Sequence, residues 1–345
     1  MGHFGLTLQI FVIAIAAALV LLPLAGALYQ MAGAAGDARR YPPPGERVDI
    51  GGRRLHIQLS GEGEPAVVLE AGIGATSLSW GLIQPEISKM ARVASYDRAG
   101  LGWSERADTP REIGRVVEEL RLLLQRAGVG TPRILVAHSY GGLVARRYAA
   151  KYPAEVAGMV LVDPVAASEW APPSEMHSRM LQRGMVLSRR GALLARLGVV
   201  RGALRLLALG ATRAPQWIAR ASGGRGAGFA QAMVGEIRKL PRESWPIVQA
   251  HWCDPKSFHG VADYLEALPE SAAAVLREES LGDIPIAVLS AENAGEVQRA
   301  EHARLAALSS RGRMEIVTGS LHWIQLDRPD RVIAAIREMI ADIKS

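Results

Sequence analysis

The run Leu135-Val136-Ala137-His138-Ser139-Tyr140-Gly141-Gly142 sets an apolar, strand-like stretch directly before a helical one, with almost no chain between them. So short a junction drives the residue at the bend into a strained backbone conformation and lifts its side chain out of the sheet. Small neighbours are needed there, and Ala137 and Gly141 supply them. Ser139 stands at the bend. A fold built around such a bend requires aligned strand ends and helices to cover them.

The remaining sequence provides both. RVDIGG and RLHIQLS alternate like strands and meet at Gly51-Gly52, a hairpin signal. Ala66–Leu69 is a buried-type apolar run, and Arg92–Tyr96 reads as a further strand. Residues 111–127 carry Val116, Val117, Leu120, Leu123 and Leu124 at helical spacing. Strands follow at 133–137, 157–162, 284–289 and 314–317, with helices at 142–151, 296–308 and 329–343. Alternation of this kind predicts an α/β fold, a mainly parallel sheet with helices on both faces and an antiparallel edge from the opening hairpin.

The first charged residue is Asp37. Phe4–Leu28 is almost wholly apolar and long enough for a helix to cross a bilayer, which takes about 20 residues. The expectation is one N-terminal transmembrane helix, retained as an anchor. A cleaved secretory signal ending near Ala32-Gly33-Ala34 is the alternative, and the absence of Lys or Arg before the run argues against it. Arg39 and Arg40 mildly favour a cytoplasmic C-terminal domain. The side of the membrane stays open. The expected division is an anchor over 1–36, a Pro-rich linker over 37–45, core over 46–164, a helical cap insertion over 165–282, and core again over 283–345.

The net charge is uneven. Residues 176–235 contain ten Arg and no Asp or Glu, so they carry +10 of a chain whose net charge is +6, and the remainder carries −4. Within the cap, Leu193, Leu194, Leu197, Val200 and Leu204 recur at roughly helical spacing, with Arg196, Arg201 and Arg205 beside them. Such a helix suits an anionic membrane surface. The competing reading packs its Leu face over the site and leaves its Arg face in water. No recognition motif accompanies the charge, so no nucleic-acid partner is expected. The single cysteine, Cys253, forms no intrachain disulfide and lacks metal-ligand spacing. Nothing in the pattern calls for a cofactor or a metal.

A serine hydroxyl needs an adjacent base to act as a nucleophile. His322, in Gly319-Ser320-Leu321-His322-Trp323 just after the last strand, is the candidate. Oxyanion donors are expected from the backbone N–H of Tyr140 and from that of Ile73, in the Gly-rich loop Glu70-Ala71-Gly72-Ile73-Gly74. With AHSYGG, LEAGIG, SYDRAGLGWSE at 95–105, VLVDP at 160–164 and GSLHWIQLDRP at 319–329, the chain resembles the α/β-hydrolase fold superfamily over about 45–163 and 283–344. It departs from the superfamily's pattern at Ala71, where His is usual, and at Ala137, the first elbow glycine.

The resemblance implies a serine hydrolase acting on an ester-type, lipophilic or other small substrate through an acyl-enzyme on Ser139. Acyltransfer or aminopeptidase action on the same triad, or a non-catalytic binding protein of this fold, are the alternatives. A serine at the bend, instead of aspartate, argues against haloalkane dehalogenase and epoxide hydrolase chemistry. Members of the superfamily take the third triad member from one of two strand ends. The first gives Asp163 here and is preferred; the second offers Glu292 or Glu296. Asp327 reads as the N-cap of the last helix, and Trp103 as a pocket wall.

Overall fold

A computed structural model describes residues 2–208, 235–278 and 280–345. The cap joint expected at Gly223-Gly224, with Arg213, Arg220 and Arg225, lies outside the described residues. The core is an eight-stranded sheet in the order β1-β2-β4-β3-β5-β6-β7-β8. Its strands are β1 (Glu46–Asp49), β2 (Arg54–Ser60), β3 (Ala66–Glu70), β4 (Val93–Tyr96), β5 (Arg133–His138), β6 (Val156–Val162), β7 (Ile286–Ala291) and β8 (Gly312–Val317). β1 and β2 pair antiparallel, as do β2 and β4, and every later pairing is parallel.

The central strands are apolar on both faces because both faces are covered. Leu135, Ala137, Met159, Leu161, Ile286 and Val288 join one core cluster. Their neighbours Ile134, Val136, Val160, Val162, Ala287 and Leu289 join the other. This is the period-two alternation of a strand read on two buried surfaces. Helices α3 (Ile113–Arg126) and α4 (Gly141–Lys151) cover the first face; α2 (Gln84–Ile87) lies on the second.

Between β6 and β7 the chain leaves the sheet for the cap helices α5 (Glu175–Arg196), α6 (Val199–Ala208), α7 (Trp245–Cys253) and α8 (Pro255–Leu276). α8 packs along α5 and reaches the core, where Tyr264 Oη donates to the Ala99 carbonyl at 3.2 Å. After β7 come α9 (Glu296–Ala306), α10 (Ile324–Asp327) and α11 (Pro329–Lys344).

The N-terminal helix α1 runs from Gly2 to Arg40. It continues four residues past the expected end of the anchor, because nothing breaks it before Pro42, and only residues 41–45 form the non-helical link. Three further expectations change. Trp103 is a clamp: its indole N–H donates to the Tyr41 carbonyl at 3.0 Å, and its ring packs on His56 and His251. Asp327 lies inside α10, while Arg328 occupies the N-cap position of α11. In the cap, Leu193 and Leu194 are exposed rather than folded over the site, and Arg201 is turned inward against α1.

α11 closes the second face with Val332, Ile336, Met339 and Ile340. Ile336 is fully buried, so Ile336→Ala is expected to lower the unfolding free energy by about 2–5 kcal/mol in a urea titration. A change within about 0.5 kcal/mol would mean that this helix does not seal the core.

Candidate active site

β5 ends at His138 and α4 begins at Gly141, so two residues make the turn. Ser139 has φ of 52°, in the left-handed region that an L-residue adopts at a cost of about 1–3 kcal/mol. Its backbone is pinned there. The Ser139 N–H donates to the Val162 carbonyl at 3.1 Å, and its own carbonyl accepts from Gly142 at 2.9 Å and Val165 at 3.2 Å. A Cβ at Gly141 would lie 2.8 Å from the Glu70 carbonyl oxygen and 2.9 Å from that of Ala71. Only glycine lets the start of α4 press so closely on the end of β3.

The Ser139 hydroxyl lies 3.0 Å from His322 Nε2, and His322 Nδ1 lies 2.6 Å from Asp163 Oδ2. Asp163 stands just past the end of β6, itself at positive φ (40°), with its N–H on the Leu289 carbonyl at 2.7 Å. Its carboxylate also accepts from the Ala291 N–H at 2.9 Å and from Gln298 Nε2 at 3.2 Å. Burial alone would raise its pKa. The His322 ring and the Ala291 N–H outweigh burial and hold it below the ordinary 3.8. An ionised Asp163 fixes the proton of neutral His322 on Nδ1 and leaves the Nε2 lone pair facing the serine hydroxyl.

The other carboxylates go elsewhere. Glu292 is exposed, and its Oε2 accepts from the Gly319 N–H at 2.8 Å, which braces the histidine loop from outside. Glu296 is exposed in the first turn of α9. Asp327 accepts from the Leu321 N–H at 2.8 Å and pairs with Lys239, so it shapes the loop before His322.

The loop after β3 folds against the bend, and a Cβ at Gly72 would sit 3.3 Å from Ser139 Cβ and 2.8 Å from His138 Nδ1. Among the described residues, neither the Ile73 nor the Tyr140 N–H is taken by a backbone carbonyl. Arg98 grips this loop from behind. It pairs with the Glu70 carboxylate, and its guanidinium donates to the Ala71 and Gly72 carbonyls at 2.6 Å each. A trans peptide plane sets C=O and N–H in opposite directions. With the Gly72 carbonyl turned to Arg98, the Ile73 N–H is turned away from it. Tyr140 and Tyr264 stack on the guanidinium at 5.1 and 5.0 Å and keep it dry.

Sequence reasoning left two of these residues without a role. Arg98 had no expected role; its signal was a cation only two residues past the buried strand β4. His138 likewise had no expected role. Its Nε2 meets the His322 carbonyl at 2.9 Å, and its ring lies 4.8 Å from the His322 ring. Burial, with the neighbouring His322, pushes its pKa down to about 3, so it is neutral and donates through Nε2. It thereby ties the histidine loop to the strand carrying the serine.

The α/β hydrolase fold family model matches residues 65–329. The uncharacterized protein YqjL of Bacillus subtilis is 35% identical over 141 residues, which cover 40% of this chain and 56% of that one. Lipase LipV of Mycobacterium tuberculosis is 35% identical over 128 residues, 37% of this chain and 48% of that one. The chain spans about half the length of the curated relatives it matches. Among solved structures, a thermophilic esterase from Thermogutta terrifontis superposes with a TM-score of 0.59 at 21% identity, covering 85% of this chain and 95% of that one. The epoxide hydrolase CorEH superposes with a TM-score of 0.62 at 16% identity, covering 86% and 98%. At such identities these two likenesses speak to the fold alone. The sheet order, the strained serine turn and a family match over well more than half the length lead to one conclusion: this chain belongs to the α/β hydrolase fold family.

Proposed function

We propose that this protein is a membrane-anchored serine hydrolase that cleaves an ester-type, lipophilic substrate through an acyl-enzyme on Ser139. The observation that carries this reading is the continuous hydrogen-bonded line from Asp163 through His322 to the Ser139 hydroxyl, 2.6 and 3.0 Å in its two links. A hydroxyl, a base and an orienting acid in that order fit nucleophilic acyl transfer. The Ser139 oxygen attacks the ester carbonyl while its proton passes to His322 Nε2. The negative charge formed on the carbonyl oxygen meets the Ile73 and Tyr140 N–H groups. His322 then protonates the departing alcohol. A water molecule, deprotonated by the same Nε2, attacks the acyl-enzyme, and the serine leaves with its proton restored.

Asp163 keeps the imidazole in the competent tautomer and stabilises its cation. The similarity to lipase LipV favours an ester substrate, and the apolar N-terminal helix favours substrates that partition into lipid.

A fluorophosphonate probe should label the wild-type protein and leave Ser139→Ala unlabelled. A p-nitrophenyl ester series, with and without detergent, should rise in kcat/KM from acetyl towards longer acyl chains. Equal labelling of both proteins would sink the nucleophile assignment. Asp163→Asn should lower kcat about 10³–10⁴-fold, whereas Glu292→Gln should stay within a factor of a few. The reverse order would move the acid to Glu292.

Because the Asp163 pKa is depressed in the folded state, its contribution to stability is present above the ordinary 3.8 and is lost as pH falls through the folded value. The stability difference between wild type and Asp163→Asn should therefore be constant near neutrality and close at lower pH, as followed by urea unfolding. Arg98→Lys keeps a cation for Glu70 and loses the two-carbonyl grip. It should cost up to about 10²-fold in kcat with KM little changed. A loss confined to KM would assign Arg98 to substrate binding instead.

A further inference from the structure

Helix α1 is two structures in one rod. Every described residue from Gln9 to Ala25 is exposed, and all of them are uncharged. Gly2–Ala25 is 24 residues, about 36 Å of helix, against a hydrocarbon core of about 30 Å. From Gly26 on, one face is covered: Gly26, Ala27, Gly33, Gly36 and Asp37 are half-buried and Gln30 is buried, at the three- and four-residue spacing of a helix face. That face is docked on the cap. A Cβ at Gly26 would lie 2.2 Å from the Leu197 carbonyl, and one at Gly198 would lie 2.6 Å from the Gly26 carbonyl.

Gln30 is 5% exposed; its amide donates to the Cys253 carbonyl at 2.7 Å and accepts from Arg201 Nε at 2.9 Å. Arg201 Nη1 pairs with Asp37 at 2.7 Å. Removal of residues up to Ala34, as a cleaved leader would require, strips Gly26, Gln30 and Gly33 from this seam. It would also remove the Gln30 amide that meets Arg201 Nε and the Cys253 carbonyl, leaving Arg201 only Asp37.

The last undocked residue of α1 therefore adjoins the corner where α5 passes into α6. Around that corner the cap exposes Leu187, Leu193, Leu194 and Val199. Arg190 and Arg196 are exposed among them and form no ion pair with any described residue. Apolar side chains interleaved with free cations suit the headgroup layer of an anionic bilayer.

We infer that α1 is kept in the mature protein and that the α5–α6 corner of the cap rests in the lipid headgroups where α1 leaves the bilayer. The partner of this face is the lipid surface itself. The inference rests on the anchor reading above and adds to it a fixed attitude: the cap, not the core, faces the membrane. α8, which covers the loop carrying Ile73 with Val261 within 3.0 Å of a Cβ at Gly74, belongs to the same cap and ties that attitude to the site.

The test uses the full chain in phosphatidylcholine–phosphatidylglycerol vesicles. Cys253→Ala removes the one thiol and keeps the backbone carbonyl that Gln30 meets. Single cysteines from Leu194→Cys, Val199→Cys, Leu19→Cys and Glu338→Cys are labelled with an environment-sensitive dye, and lipids with spin labels at two depths serve as quenchers. Fluorophosphonate labelling selects the folded variants. Dyes at 194 and 199 should lose emission to the shallow quencher, the dye at 19 to the deep one, and the dye at 338 to neither. The intact mass should retain residues 1–34.

Emission at 194 and 199 as unaffected as at 338, in a protein that resists carbonate extraction and is quenched at 19, would overturn the inference alone. Release by carbonate, no quenching at 19, or a mass lacking residues 1–34 would remove the anchor as well.

Discussion

The position of Ser139 in the left-handed backbone region is the constraint around which the rest of this structure is arranged. A two-residue crossing from β5 to α4 leaves no other way to turn. The cost, about 1–3 kcal/mol, has to be met by contacts that are lost if the turn relaxes. Three backbone hydrogen bonds and the close seat of Gly141 on β3 supply them. Those same contacts bring the loop carrying Ile73 to within van der Waals reach of the serine. Strain, the presentation of the serine hydroxyl and the approach of the loop after β3 are consequences of one bend.

Around it, charges are placed so that each is oriented by something more rigid than itself. Asp163 is fixed by the Ala291 N–H and held ionised against its burial; the His322 ring is fixed by Asp163. On the other side, Arg98 is fixed by buried Glu70 and by two tyrosine faces, and it in turn fixes two carbonyls. A buried Arg–Glu pair is weak evidence for stability, since desolvation offsets much of its attraction. Its value here is directional: a peptide plane held by its oxygen cannot rotate its N–H out of place.

What was legible in the sequence follows from the range of the interactions. The strand–helix alternation, the serine bend and the late histidine are local patterns, visible in periodicity and in spacing. The favoured position of the acid came from the resemblance to the superfamily, and Asp163 is the carboxylate that meets the His322 ring. Glu292 competed on paper because position along the chain does not reveal that its oxygen is spent on Gly319. Arg98 and His138 were given no role for the same reason, since their partners lie 26–28 and 184 positions away. The apolar run at the N-terminus was plain. That its last third is a docked face was hidden, because Gln30 and Asp37 look like ordinary solvated residues until Cys253 and Arg201 stand beside them.

That docking also gives the charge distribution a physical account. Residues 176–235 carry +10 and the rest of the chain −4, and free in solution the two would gain by turning towards each other. Of the described arginines in that segment, Arg179 pairs with Glu175, Arg189 with Glu266 and Arg201 with Asp37, whereas Arg190 and Arg196 form no ion pair with any described residue. Exposed Arg190 and Arg196 stand beside apolar residues that gain nothing from water. In bulk solution this arrangement wastes both the charge and the apolar surface. At an anionic lipid surface each cation contributes about 1 kcal/mol of attraction, falling off within a Debye length. In the proposed arrangement α1, docked on the cap at Gly26 and Gln30, brings this face to such a surface.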